Sequence, residues 1–268
     1  MKYNENQLQL LLADSRYQDI GALPSQFKAY DWKQMFIRPF GIKEFKLVSK
    51  AAALKDMTHM IRAIDLVITQ DAGTLTIGDF YYIMMWLRIH SIPKTPVVVN
   101  WECGERVLVH KQTNVVVPNE EPYELPEDLS LYREEPCGTH NTEAVYKSEI
   151  EIISLDEEGE ENFAKQVLPE GFDFPRAKHI EGLGKALADP ERVMLTAAAQ
   201  WVMGDTVVDK FKRMEDASDE EGMAMLDTGT ALNELLQHGL KEVVQIKCRR
   251  CMKAEPYHIN LTPTSFFP

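Results

Sequence analysis

Four cysteines constrain this chain of 268 residues more than any other feature of its sequence. Two of them form the segment Cys248-Arg249-Arg250-Cys251, which directly follows the strand-like run 243–247. A CxxC turn presents two sulfur atoms to one ion, and zinc in a structural site takes four thiolate or imidazole ligands in a tetrahedron. The segment therefore predicts half of a zinc site at the end of a β-strand.

The other two cysteines are far away along the chain. Cys103 ends a run rich in valine, and Cys137 is followed by Gly138, as is common in metal-binding knuckles. A 33-residue insertion separates these two cysteines. Four protein ligands leave no open position for water or substrate, so a zinc ion bound here is structural. We predict Zn²⁺ ligation by Cys103, Cys137, Cys248 and Cys251.

Three alternatives to this ligand set remain open from the sequence. His140, in the CxxH segment that begins at Cys137, is able to replace Cys103 as a ligand. A redox-active CxxC is a second alternative, although no thioredoxin-like βαβ pattern precedes it. In the third, the site is empty, and Cys103 and Cys137 are ordinary buried residues.

Acidic charge is concentrated in one stretch. Residues 111–175 contain 4 Lys or Arg and 17 Asp or Glu, which accounts for the whole formal net charge of −13. A general nucleic-acid-binding protein needs a basic face, because neutralising phosphates supplies much of its affinity. The charge balance therefore argues against nucleic acid as a partner. The acidic stretch either meets a basic partner or faces solvent.

Neither a membrane span nor a secretory leader is predicted. The apolar runs near 81–87 and 193–203 are short and interrupted, whereas a spanning helix needs ~18 or more apolar residues. Residues 1–6 are polar and do not resemble the start of a signal peptide. We expect no membrane association, and we expect the chain to be made in a cytoplasm and kept or assembled there.

Apolar residues at helical spacing predict helices over 42–54 and 57–69. Thr76 followed by Asp79 is typical of a helix start, because the threonine caps the first turn and the acid lies at the positive end of the helix. The helix that follows, over 80–89, is apolar on nearly all sides. We therefore expect it to be central and buried.

Residues that favour strands predict β-structure over 95–102, 144–155, 243–247 and 257–261. The stretch 104–142 contains four prolines and few helical signals, which indicates an irregular excursion. We predict an α+β fold, with helical segments and a small antiparallel zinc-ribbon-like β module formed by distant chain segments. The predicted regions are 1–102 (N-terminal α/β), 103–178 (acidic β and loop with the insertion), 179–240 (helical) and 241–268 (C-terminal strand and CxxC knuckle completing the ribbon).

Enzyme motifs are scarce. The segment Leu226-Asp227-Thr228-Gly229-Thr230 matches an aspartic-protease signature, but it occurs once, and two such aspartates must share a proton. Apolar neighbours at helical spacing indicate instead a helix that packs closely through Gly229. P-loop, GxSxG, GxGxxG and HExxH motifs do not occur. We expect no enzymatic activity. A hydrolase based on Asp227 is kept as an alternative hypothesis.

The order of several short motifs resembles that of one protein family. The motifs are Leu23-Pro24-Ser25, Phe36-Ile37-Arg38-Pro39-Phe40 before a helix with Lys and Glu, Leu75-Thr76-Ile77-Gly78-Asp79, Leu87-Arg88-Ile89-His90-Ser91, the strand into Cys103, the CxxC segment and Phe266-Phe267. Over roughly 23–155 and 241–268 they resemble the baseplate hub and hub-assembly proteins of contractile-tailed, T-even-like bacteriophages. Members of that family tend to carry CxxC at the first knuckle, where this chain has Arg106 in place of the second cysteine.

The resemblance implies a non-enzymatic component of the phage tail baseplate that binds other tail proteins, in multiple copies. Its location is then the virion tail, and the host cytoplasm during assembly. The terminal phenylalanines either dock into a neighbour or pack on their own domain. The runner-up hypothesis is a cytoplasmic zinc-ribbon protein that binds nucleic acid through the basic patch Lys247, Arg249, Arg250 and Lys253.

Overall fold

The computed structural model describes residues 2–119, 125–145, 150–155, 168–241, 243–259 and 267. These residues contain eight α-helices and ten β-strands. The helices are α1 (Glu5–Leu12), α2 (Ile42–Leu54), α3 (Met57–Asp65), α4 (Ile77–Ser91), α5 (Ile180–Leu187), α6 (Val193–Ala199), α7 (Val207–Glu215) and α8 (Asp219–Leu235). The strands are β1 (Gln18–Asp19), β2 (Phe36–Ile37), β3 (Val97–Glu102), β4 (Arg106–His110), β5 (Tyr132–Pro136), β6 (His140–Val145), β7 (Ile152–Ile153), β8 (Gly239–Leu240), β9 (Val243–Lys247) and β10 (Ala254–His258).

The predicted α+β class is confirmed. Each sheet of the described residues has two antiparallel strands, paired β1–β2, β3–β6, β4–β5, β7–β8 and β9–β10. The chain forms two compact units: the first comprises Met1–Pro93, Ile150–Leu240 and Thr262–Pro268, and the second Lys94–Glu149 and Lys241–Leu261. The division into four sequence regions stays a prediction.

Two of the predicted helices begin where their sequence signals lie. Helix α2 has the predicted bounds, and α3 begins after Asp56, whose side chain accepts the N–H of Thr58 at 2.8 Å. Helix α3 ends at Asp65, earlier than predicted. A turn follows at 66–67, and Ile68 then forms a β-bridge with Ile37 of β2.

A buried polar network surrounds the first turn of α4. Thr76 caps this helix by accepting the N–H of Asp79 at 3.2 Å. The fully buried Asp79 carboxylate accepts the Ser25 N–H (3.0 Å), the Ser25 hydroxyl (2.5 Å) and the Tyr30 hydroxyl (2.6 Å). The Tyr30 oxygen in turn accepts the N–H of Thr76 at 2.8 Å. Such a network is stabilising only when each of its polar groups has a hydrogen-bond partner. The two motifs that contain Ser25 and Asp79, both part of the family resemblance, therefore have a structural role.

Helix α4 approaches strand β8 at two glycines. A methyl group on Gly78 would lie 2.2 Å from the carbonyl oxygen of His238. A methyl group on Gly239 would lie 2.8 Å from the Cα atom of Gly78, and Gly239 has φ of +131°, which favours glycine. The His238 ring also contacts Thr76, with Nε2 2.8 Å from Oγ1. The contact therefore depends on the absence of side chains at both glycines.

The segment with the protease-like signature lies on α8. A methyl group on Gly229 would lie 2.7 Å from the carbonyl oxygen of Ala198 in α6, so the two helices pack through this glycine, as predicted. Asp227 lies on the exposed side of the same helix. The buried cluster between α5, α6 and α7 consists of Leu183, Ala186, Ala198, Ala199, Val202, Val207, Phe211 and Met214.

His179 is a buried histidine close to a buried lysine. Its Nε2 atom lies 3.2 Å from the carbonyl oxygen of Asp205. The Lys210 ammonium donates to the carbonyl oxygens of Gln200 (3.1 Å) and Val202, just beyond the end of α6. Burial and the positive charge of Lys210 lower the pKa of His179 from its usual 6.5 to about 4.

We expect acid to destabilise the first unit through this histidine. Between pH 6.5 and about 4 the unfolded chain binds the His179 proton and the folded chain does not. The stabilisation of the folded state by this shift, up to about 3 kcal/mol, is complete above pH 6.5 and is lost as the pH falls to about 4. Denaturant unfolding between pH 7 and 5 measures this slope. His179→Gln should flatten it, and an equal slope in both proteins would contradict the assignment.

The second unit contains a hairpin where an irregular excursion was predicted. The stretch 104–142 holds β4, β5 and the beginning of β6, so that prediction was wrong. The local signal is weak because β4 is short and its partner β5 is distant in sequence. Strand β6 pairs with β3 and begins earlier than the predicted return strand, whereas β7 pairs with β8 in the first unit.

Phe267 packs on its own unit. Its ring centroid lies 5.7 Å from that of Phe40 and 6.4 Å from that of Phe45. Phe266, residues 156–161 of the acidic stretch and the end of the predicted strand 257–261 lie outside the described residues. Among the helices that the structure describes, none is both long and apolar enough to cross a membrane.

Candidate metal centre

Two tight turns place Cys103 and Cys137 side by side. Cys103 lies between β3 and β4, and Cys137 lies between β5 and β6. Three backbone hydrogen bonds join the turns: Cys103 N–H to the Thr139 carbonyl (3.0 Å), Gly138 N–H to the Cys103 carbonyl (3.1 Å) and Cys137 N–H to the Glu105 carbonyl (2.7 Å). The insertion thus leaves the site as β4 and returns to it as β5, which brings the two cysteines together.

The β9–β10 hairpin carries the other two sulfurs. Cys248 follows β9, and its N–H donates to the carbonyl of Lys253 at 2.9 Å. The N–H of Met252 donates to the Cys248 carbonyl at 2.9 Å, which closes the CxxC turn. The Asn119 N–H donates to the Cys251 carbonyl at 2.6 Å and ties this turn to the chain that follows β4.

The four sulfur atoms form one compact cluster. All lie within 4.8 Å of one another, and the Cys103–Cys251 and Cys137–Cys248 sulfurs are each 3.7 Å apart. Four thiolates about 2.3 Å from a zinc ion occupy the corners of a tetrahedron with edges of about 3.8 Å. A disulfide needs sulfurs about 2.05 Å apart, and the four cysteines are free. The spacing and the donors therefore fit one tetrahedral ion.

This cluster is also a buried core of the second unit. All four cysteines are at most 3% exposed, and they pack with Val107 and Val109, which are 1% exposed. The unit has fewer than 80 residues. A chain of that size buries little apolar surface, and small domains commonly add a metal or disulfides to remain folded.

Backbone amides stabilise negative charge on one sulfur in particular. Burial alone would raise the pKa of the Cys248 thiol. The N–H groups of Cys251 and Arg250 and the side-chain amide of Asn141 donate to its sulfur, outweigh burial and lower the pKa to about 6. N–H donation to a sulfur from residues two and three positions later is what a tight CxxC turn provides.

Burial dominates at two of the other sulfurs. It raises the pKa of the Cys103 and Cys251 thiols, although the N–H groups of Glu105 and Lys253 oppose this by donating to them. A divalent cation reverses that balance, because coordination deprotonates a thiol. The cluster is therefore suited to hold a cation and unsuited to carry several thiolates without one.

Asn141 and Arg250 support the cluster from outside the ligand set. The buried Asn141 donates from Nδ2 to the Cys248 sulfur (3.6 Å) and to the Thr139 carbonyl (2.9 Å), and its Oδ1 accepts the N–H of Arg249 (3.0 Å). Arg250 donates to the Cys137 carbonyl (2.6 Å) and pairs with Glu135 (2.5 Å). Sequence reasoning missed Asn141, because an asparagine at the start of a strand has no distinguishing pattern.

We expect Asn141→Ala to weaken metal binding. The substitution removes a hydrogen bond to Cys248 and releases the CxxC turn from its anchor. Partners of this kind outside the ligand set typically contribute ~10–100-fold in metal affinity. Competition with a chelator measures the change for zinc. Thr142→Ala, at an exposed position on the same strand, is the control, and equal zinc affinity in both variants would contradict the role of Asn141.

The structure brings together all four cysteines that the sequence singled out. His140, the alternative to Cys103, is exposed at the start of β6 and lies outside the cluster. Zinc ligation itself stays a prediction. The predicted basic patch is less available for nucleic-acid binding than the sequence indicated, because Arg250 is paired with Glu135.

Comparison with known proteins identifies the family. The family model described as T4 bacteriophage base plate protein matches residues 23–259, a stretch that includes all four cysteines. This chain belongs to that family. The baseplate protein is thus a structural protein of the phage tail, which implies a location in the virion tail and contacts with other tail proteins. No curated protein and no solved structure matches it significantly.

Proposed function

We propose that this baseplate protein is a structural subunit of the hub or inner baseplate of a contractile tail, acts in tail assembly through protein contacts and catalyses no reaction. The family match over 23–259 supports a structural role in the baseplate. The order of the short sequence motifs is the reason for proposing the hub in particular. A subunit of this kind needs rigid units whose surfaces complement those of their neighbours in shape and charge. Assembly is expected to begin in the host cytoplasm and to use several copies.

A structural zinc ion is part of this proposal. Cys103, Cys137, Cys248 and Cys251 would hold it, and four protein ligands would exclude substrate from the ion. Its contribution is to the fold alone, because the sulfurs lie in a buried core of the second unit. Elemental analysis distinguishes zinc from iron, which also accepts four sulfur ligands.

Nucleic acid is not among the proposed partners. The Arg250 guanidinium is held by Glu135 and by the Cys137 carbonyl, so its charge is neutralised inside the unit. The chain as a whole carries a net charge of −13, which opposes a polyanion. DNA or RNA binding that weakens steeply with salt would contradict this view.

The test is a mass-spectrometric inventory of virions, isolated baseplates and assembly precursors from an infection that produces the full chain. We expect the chain in a constant ratio to other tail proteins in at least one of these particles. Its absence from all of them would overturn the structural role. A peptide-cleaving activity that Asp227→Asn abolishes would overturn the non-enzymatic part.

A further inference from the structure

We propose that the solvent-facing side of α2 docks onto an acidic surface of a neighbouring tail protein. This lysine face consists of Lys43, Lys46 and Lys50, flanked by Ile42 and Leu54. The proposal rests on the structural role in the baseplate and specifies one of its contacts.

The three lysines share one side of the helix. Their spacings of three and four residues place them in one row, because residues at i, i+3 and i+7 of an α-helix are neighbours. All three are exposed. The buried residues of α2, namely Glu44, Val48 and Ala51, occupy other positions of the helix and face the interior. The row is therefore a surface feature and takes no part in the core.

These positive charges have no acidic partner within the described part of the chain. The one acid on α2 is Glu44, which is buried and bonded to Arg38 at 3.1 Å. None of the ion pairs of the described residues includes Lys43, Lys46 or Lys50. Within the part of the chain that the structure describes, the lysine face is thus a cationic strip without an ion pair, on a strongly acidic protein.

The arrangement opposes helix stability. Like charges three and four residues apart repel one another. Lys43 also lies in the first turn, where the helix dipole favours negative side chains. Glu44 lies in the same turn but is bonded to Arg38 and to the Gly41 N–H, whereas an external row of carboxylates would offset the repulsion among the three lysines. An acidic partner surface would therefore explain a row of charges that the fold of α2 does not use.

Exposed apolar residues at both ends of the face favour protein over nucleic acid. Ile42 is 82% exposed at the start of the helix, and Leu54 is 59% exposed at its end. Protein interfaces combine apolar contacts with polar rims, whereas contacts to phosphates are made by cationic and hydrogen-bonding groups. The partner surface is therefore expected to carry aspartate or glutamate side chains beside an apolar patch.

Charge reversal tests the proposal in assembled particles. The variant Lys43→Glu, Lys46→Glu, Lys50→Glu is supplied as the full chain during infection with phage lacking the gene. A control variant, Lys33→Glu, Lys94→Glu, Lys212→Glu, makes the same change in net charge at exposed lysines elsewhere. We expect the first variant to fall at least tenfold in particles and precursors by quantitative mass spectrometry. The control should stay within twofold of wild type.

Folding is checked on the purified variants. Lys43→Glu places a negative charge at the positive end of α2, so the reversal variant should melt no lower than wild type. If it melts lower, cross-linking of wild-type particles with a zero-length carbodiimide decides independently. Amide bonds from Lys43, Lys46 or Lys50 to aspartate or glutamate of another tail protein support the proposal. Their absence overturns it.

The outcomes separate this inference from the structural role. If wild-type chain enters no particle or precursor, the structural role fails and the docking surface fails with it. If the wild type and the reversal variant are incorporated equally, only the docking surface is overturned. Binding of the purified wild-type chain to duplex DNA that is lost in the reversal variant would assign the face to nucleic acid and also overturn it.

Discussion

Cys248→Ser is expected to release the metal and unfold the second unit. A serine hydroxyl does not replace a thiolate as a zinc ligand, and three buried sulfurs would remain around an incomplete site. Zinc binding in small structural sites contributes ~10–16 kcal/mol, which is comparable to the ~5–15 kcal/mol that stabilises a whole domain. Val107 and Val109, the buried valines that pack on the sulfurs, are too few to offset a loss of that size.

Three measurements check this expectation. Elemental analysis should find about one zinc per wild-type chain and almost none in Cys248→Ser. Limited proteolysis should cut the variant within 94–149, in the second unit, and leave the first unit intact. Arg249→Ser changes an exposed side chain in the same turn and should keep both the zinc and the fold. A metal-free wild-type protein of equal stability would remove the zinc assignment.

Gly78→Ala is expected to be strongly destabilising for a change of one methyl group. The added carbon would lie 2.2 Å from the His238 carbonyl oxygen, and backbone of this kind cannot move aside as a flexible side chain does. Separation of α4 from β8 would also break the contact between Thr76 and His238. Overpacking costs about 1–3 kcal/mol, and the lost hydrogen bond adds about 1 kcal/mol.

A second glycine provides the matched control. Gly184 lies within α5, and a methyl group there would meet no atom within 4 Å. Gly184→Ala should therefore stabilise the protein by up to about 1 kcal/mol through helix propensity. Chemical denaturation of both variants gives the comparison. Equal stabilities would show that α4 and β8 are not in close contact at Gly78.

Local signals in the sequence predicted several elements well. Apolar spacing predicted the bounds of α2 and the start of α3, and the capping signal at Thr76 marks the start of α4. These features succeed because a helix is stabilised by residues within a few positions of one another. The β4–β5 hairpin was missed for the opposite reason, since its pairing joins residues far apart in the chain.

The candidate metal site was only partly predictable. The four cysteines were recognisable as a set because their chemistry is distinctive. Asn141 and Arg250 were not recognisable, because an amide or a guanidinium acquires its role from what lies near it in space. The sequence places Arg250 in a predicted basic patch, whereas in the structure its guanidinium is paired with Glu135.

The sequence by itself determined the chemical types: an α+β chain, a set of four soft ligands and one strongly acidic stretch. The tertiary structure decided which of those residues meet. It placed Cys103 and Cys137 in adjacent turns, gave Asp79 its buried donors and brought Gly78 against β8. The physical reason is that these contacts depend on long-range strand pairing and close packing, which are properties of the folded chain as a whole.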